Sequence, residues 1–144
     1  MIAKAILCAI VIAGFATGAS AAEVDGLWQG PIRHVVVRVE ACGEGICGYI
    51  VTSDGIKLNP DLPDAKNKDP KLRSRPVKGL ALFYDLKGGP SKWSGGHIYN
   101  PDDGYTYAGS VELKDHDKLV LKGCVLGFVC KSQQWVRIAA EPAP

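Results

Sequence analysis

The side chains of this sequence best equipped to bind something are four aromatics and two arginines. Trp93, Tyr99, Tyr105 and Tyr107 flank one turn signal, Asn100-Pro101-Asp102-Asp103-Gly104. On neighbouring strands such rings pack against one another. They can equally wall a pocket, with phenolic hydroxyls fixing a polar head while ring faces hold an apolar body. Arg73 and Arg75 stand in a basic run with Lys66, Lys68, Lys71 and Lys78, interrupted by Asp69 alone. A guanidinium grips a carboxylate or phosphate through two parallel hydrogen bonds, so this run is a candidate lid over an anionic group. The structural alternative is a loop whose arginines tie its own carbonyls and carboxylates together.

No catalytic constellation stands out. His116 sits in Asp115-His116-Asp117, a solvated turn by composition, and His34 alternates outward from Val35, Val37 and Val39. His97 follows Gly95-Gly96 and is free to point inward. A nucleophilic triad needs Ser or Cys beside a His that an acid orients. The cysteines have another use, and no Gly-x-Ser-x-Gly elbow occurs. A hydrolase would have to rely on His97 with Asp102. As a metal site, His97 with Asp102 or Asp103 is weaker than a tight turn, because the calcium-loop spacing is not met. No catalytic residue, metal or cofactor is therefore expected.

Cys8 lies in an apolar run of 12 residues, 5–16, that follows Lys4 and precedes Ala19-Ser20-Ala21. This is the pattern of a secretory signal over residues 1–21, cleaved before Ala22. Such a run rises only about 18 Å as a helix, against about 30 Å of hydrocarbon, so no transmembrane segment is expected after cleavage. The implied location is periplasmic or secreted. Cys42, Cys47, Cys124 and Cys130 remain, and an even count in an exported chain implies disulfides. Of three connectivities, Cys42–Cys47 with Cys124–Cys130 is favoured, since each pair brackets a short glycine-containing turn. A hairpin brings two Cα atoms to about 5.5 Å, as a disulfide needs. The spacings do not resemble zinc knuckles.

The elements that must hold these residues are strands, because the apolar period is two. Strands are expected over 32–40, 46–52, 79–86, 92–99, 105–114, 118–125 and 132–138, the first long enough to bend and serve two pairings. Gly95-Gly96 marks a bulge or a sharp bend. Tyr105, Tyr107, Gly109, Val111 and Leu113 share a face, and Gly109 with Gly95-Gly96 argues for room inside. Residues 54–78, with Pro60, Pro63, Pro70 and Pro76, break the alternation and read as a long irregular loop. Within it Asp69-Pro70 can start a one-turn helix, as N-cap and N1.

The 144 residues, with 47 % hydrophobic and 22 % charged, fit one globular domain over 22–144. Mean hydropathy is +0.03. With 17 basic against 15 acidic residues the net charge is only +2, which speaks against nucleic acid as a partner. The 17 glycines and 9 prolines favour many turns. Hairpin-linked strands in this number indicate an all-β, antiparallel up-and-down barrel, or a sandwich. The sequence carries no signal for an oligomeric state.

DPKLRSRPVKGL, WSGGHIYNPDDGYTY and the ending KGCVLGF with Trp135-Val136-Arg137 resemble a family of small exported bacterial proteins, domain of unknown function 2147. The resemblance runs from Gly26 to about Arg137. His97 and Asn100 depart from the family's more usual Arg and Asp. The resemblance implies a lipocalin-like, or calycin, β-barrel of seven to eight strands. It further implies that Trp28 and Arg137 pack together and close one end, a structural role. Such a barrel either fills with side chains or holds one small ligand. The leading expectation is binding of a small apolar or anionic amphiphilic ligand. The alternative is an envelope interaction module or inhibitor that acts through its surface.

Overall fold

The computed structural model describes residues 22–139 and residue 142. The expected secretion signal, residues 1–21, lies outside them. Eight strands follow in order: β1 Gly26–Gln29, β2 Val36–Cys42, β3 Gly45–Thr52, β4 Ala81–Gly88, β5 Lys92–Asn100, β6 Tyr105–Asp115, β7 Lys118–Val125 and β8 Val129–Ile138. Alternation builds them: in β6, Val111 and Leu113 are buried while Ala108 and Lys114 are exposed.

Each strand pairs antiparallel with the next. β8 returns to β1 through Leu27↔Ile138, Trp28↔Arg137 and Gln29↔Val136, which closes an up-and-down barrel. Closure gives every strand two neighbours, with β8 meeting β1 over Val136–Ile138. Alternate connections fall at opposite ends. Connections 30–35, 53–80, 101–104 and 126–128 gather at one end. Connections 43–44, 89–91 and 116–117 gather at the other, with the segment that precedes β1.

That second end is corked. Trp28 is fully buried, and its Nε1 donates to the Val24 carbonyl at 2.9 Å. The Arg137 guanidinium lies 4.3 Å from the Trp28 ring centre. It donates through Nε to His116 O at 2.6 Å, through Nη1 to Asp25 O at 2.8 Å and through Nη2 to Glu23 O at 2.5 Å. One side chain thus ties the leading segment and the β6–β7 turn to the base of the barrel. Val39, Leu86, Trp93, Val111 and Leu119 fill the adjoining half of the interior.

Both expected disulfides are formed. Cys42–Cys47, with Cα atoms 5.7 Å apart, lies at the corked end, and Cys124–Cys130, at 4.0 Å, lies at the other. The bulge expected at Gly95-Gly96 is present as a register shift between Trp93 and Gly96.

Two details differ from the sequence expectation. The strand expected over 32–40 begins only at Val36, and it serves two pairings, with β1 and with β3, with a register shift between Val36 and Val37. Trp28 must face Val37, so the chain reverses within 30–35, with Arg33 and His34 at positive φ (52° and 47°). Residues 54–78 also contain a short helix, α1 Asp54–Leu58, capped by the Ser53 side chain accepting from Ile56 N at 3.2 Å. Ile56 is the residue it buries. The turn expected at Asp69-Pro70 is a 3-10 turn over Pro70–Leu72, with Asp69 accepting from Lys71 N at 3.0 Å.

Candidate functional site

At the end away from the cork the interior is not filled. A cavity of about 430 Å³ reaches the surface there. Its walls come from inward positions near the open ends of the strands: Leu82 of β4, Ile98 of β5, Leu121 of β7 and Trp135 of β8. Ile32, Val125 and Val129 form the mouth and are about half exposed. Four inward positions of β8 alternate down one face: Lys131 and Gln133 line the cavity, Trp135 forms its floor, and Arg137 reaches the cork.

The polar side of the mouth is built by the 101–104 turn. Gly104 N and Asp103 N both donate to Asn100 O, at 2.8 and 3.3 Å, so the Asn-Pro-Asp-Asp-Gly run is a tight turn. Asp103 accepts from the Tyr107 hydroxyl at 2.6 Å, from Asn100 Nδ2 at 3.0 Å and from Tyr105 N at 2.8 Å. Its carboxylate is thereby committed to its own turn. The hydrogen bond to Asp103 also pushes the Tyr107 pKa above the usual tyrosine value, so the phenol stays neutral. With its proton directed at Asp103, the Tyr107 oxygen is left to accept. Among the residues that line the cavity, Lys131 is the cation.

The four aromatics do not form one wall. Tyr107 lines the cavity. Trp93 is 4 % exposed and belongs to the packed half of the barrel. Tyr105 is half exposed beneath Lys68 Nζ, 4.1 Å from its ring centre. It opens on a second cleft of about 420 Å³ between the 53–80 connection and the barrel wall. Tyr99 borders both spaces.

Tyr99 is the post to which the long connection is fastened. Its hydroxyl donates to Asp64 Oδ1 at 2.5 Å. Asp64 is 1 % exposed and also accepts from Asn67 Nδ2 at 2.9 Å and from Arg75 Nε at 3.0 Å. A buried carboxylate is tolerable only when so satisfied. Burial first, then the Asp64 hydrogen bond and charge, push the Tyr99 pKa up to about 12. Arg73 Nε donates to Asn67 O at 2.8 Å. Arg73 and Arg75 therefore tie the loop to itself and to the wall, outside the barrel interior.

His97 faces outward, against the inward orientation considered from sequence. It stacks on Tyr84 at 5.2 Å, with Nδ1 3.9 Å from Asp85. Asp102 instead accepts from Lys66 Nζ at 2.8 Å through its carbonyl and pairs with Arg33 at 3.5 Å, so the two are not brought together. The room expected over Gly109 is occupied: a Cβ there would lie 2.5 Å from Ile98 Cδ1. Space remains one strand over, at Gly123, where a Cβ would meet only Tyr107 Cβ at 3.6 Å and Ile98 Cδ1 at 3.7 Å. Among the described residues no group of three or more His, Cys, Asp or Glu is placed to hold a metal. No helix among them is long and apolar enough to cross a membrane.

Sequence reasoning missed Lys131, Gln133, Asp64 and Asn67. The first two were reachable, because counting back by twos from Arg137 passes through Trp135, Gln133 and Lys131. Asp64 carries no such signal, since a lone Asp among prolines reads as solvated.

No curated protein matches the chain. Among solved structures, HP1028 from the human pathogen Helicobacter pylori, described as belonging to the lipocalin family, superposes with a TM-score of 0.70 at 24 % identity. The match covers 80 % of this chain and 82 % of that one, and at this identity it shows a shared lipocalin-like fold. Residues 26–137 match the family of uncharacterized proteins conserved in bacteria designated DUF2147, and the chain belongs to that family.

Proposed function

We propose that this is an exported binding protein that holds one small apolar or amphiphilic ligand in the open half of its barrel. The observation that carries the reading is the cavity of about 430 Å³, walled mainly by apolar side chains, with Gln133 held by Trp135 Nε1 and the other polar groups toward its mouth. Its size falls within the range of about 300–1,000 Å³ usual for small-molecule sites. An apolar body would lie between Leu82, Ile98, Leu121 and Trp135, with a head group beside Lys131 and the Tyr107 oxygen. Lys131 rather than Arg73 or Arg75 is the cation placed to favour an anionic head, since both arginines already have partners. Two disulfides support export, being rare in reducing compartments.

The experiment is organic extraction of protein purified from its native host, followed by mass spectrometry. A single class of amphiphile recovered near one equivalent is expected. An empty extract together with no uptake of any apolar probe would remove the reading. A module that acts through its surface is favoured by the outer cleft around Tyr105, Lys68 and Arg75. It predicts a periplasmic partner that is lost in Arg73→Ala/Arg75→Ala while cavity uptake persists.

A further inference from the structure

The connection between β7 and β8 exposes apolar side chains that none of the described residues covers. Leu126 is 84 % exposed and Phe128 77 %, and the flanking Val125 and Val129 are about half exposed. Most exposed loops are polar, and a contiguous apolar patch marks a contact surface. This one is convex: Val125 pairs with Val129, and a three-residue tip turns between them through Leu126 and Gly127 at positive φ (54° and 76°). Cys124–Cys130 staples its base. The tip is thus already ordered, and docking it costs little conformational entropy.

The hairpin's own charge is one-sided, and the acids nearest its mouth, Asp102 and Asp103, are already paired within the fold. From Lys118 to Ile138 there is no Asp or Glu, and Lys122 and Lys131 stand on the two strands just behind the tip. Four apolar residues on one hairpin end fall short of the roughly 800 Å² per side of a stable protein interface. They suit a headgroup layer, into which an apolar face sinks about 5–10 Å while cations behind it meet anionic lipid. Val125 and Val129 belong to both the tip and the cavity mouth.

We infer that the Val125–Val129 hairpin tip inserts into the surface of an anionic phospholipid bilayer and sets the cavity mouth against it. Docking stands on the tip alone. Exchange of an amphiphile between bilayer and barrel rests on the cavity reading above.

The test is flotation of the chain from Ala22 onward with vesicles of phosphatidylcholine and phosphatidylglycerol at 7:3, against phosphatidylcholine alone. Wild type is expected to float with the anionic vesicles. Leu126→Asn/Phe128→Ser is expected to lose at least about ten-fold in binding, and Lys122→Gln about five-fold at low salt. Neither variant alters a cavity-lining side chain, so uptake of N-phenyl-1-naphthylamine in vesicle-free solution should equal wild type. No flotation of wild type, or equal flotation of the tip variant, overturns the docking. So does a wild-type dimer that the tip variant dissolves without any vesicle binding. Failure of probe uptake in a protein that still floats would overturn the cavity reading and leave the tip in place.

Discussion

Arg137 and Trp28 are cross-strand partners on the seam that closes the barrel, and their side chains stack there, guanidinium over indole at 4.3 Å. The stack and three carbonyl acceptors hold β8, β1, the leading segment and the β6–β7 turn as one unit. Lysine keeps the charge but not the fork, so it can serve at most part of this set. Arg137→Lys is expected to cost about 2 kcal/mol, seen as a lower urea midpoint at unchanged m-value. Ligand uptake at the far end should be unaffected. Unaltered stability would mean that the cork is ornamental.

The Tyr99–Asp64 bond predicts a pH signature. Unfolded, the Tyr99 phenol titrates near 10, and folded it titrates at about 12. Between those values the unfolded chain has lost its proton and the folded chain keeps it. The stabilisation is therefore complete below pH 10 and is lost as pH rises toward 12, on the order of 2–3 kcal/mol in all. Tyr99→Phe should be about 1–2 kcal/mol less stable at neutral pH, because Asp64 loses a donor in a buried setting. Its deficit should shrink across pH 10–12. Parallel stability curves for the two proteins would contradict the assignment.

Two glycines on adjacent strands should respond oppositely to a side chain. Gly109→Ala drives a methyl into Ile98 and is expected to destabilise by about 1–3 kcal/mol. Gly123→Ala meets ordinary contacts and should stay within about 0.5 kcal/mol of wild type. Thermal midpoints of the pair decide it, and equal losses would mean that Gly123 faces packed side chains.

Export and the disulfides are read together by intact mass. Protein recovered from the exporting host should begin at Ala22 and lack four hydrogens relative to its reduced form. Retention of residues 1–21 would contradict the signal. Each small loop constrains the unfolded chain by roughly 2 kcal/mol, so Cys124→Ser/Cys130→Ser should lower stability by about that much.

Much of this was legible because the strands alternate. Period two placed Tyr107, Val111 and Leu113 on one face, and the glycine-marked turns placed both cystines. The Trp28–Arg137 cork came from the family resemblance. The rest depended on contacts distant in sequence. Arg33 and His34 themselves take positive φ, beyond the Gly30-Pro31 pair that opens the turn. Asp64 gains its role only because Tyr99, in β5, lies beneath it. Trp93 and Tyr107 share an alternation pattern, yet one sits in the packed half and the other in the open half. Depth along a barrel axis is a property of register, which composition does not encode.

The most direct measurement is a fluorescence titration of wild type and Gly123→Leu with cis-parinaric acid, alongside a stability check on both. Leucine at 123 projects toward Tyr107 and Ile98 and fills the cavity. The expected result is saturable uptake of one probe per wild-type barrel and at least a ten-fold loss in a variant that remains folded. Absence of saturable uptake by wild type, or equal uptake by Gly123→Leu, would contradict a ligand held inside the barrel.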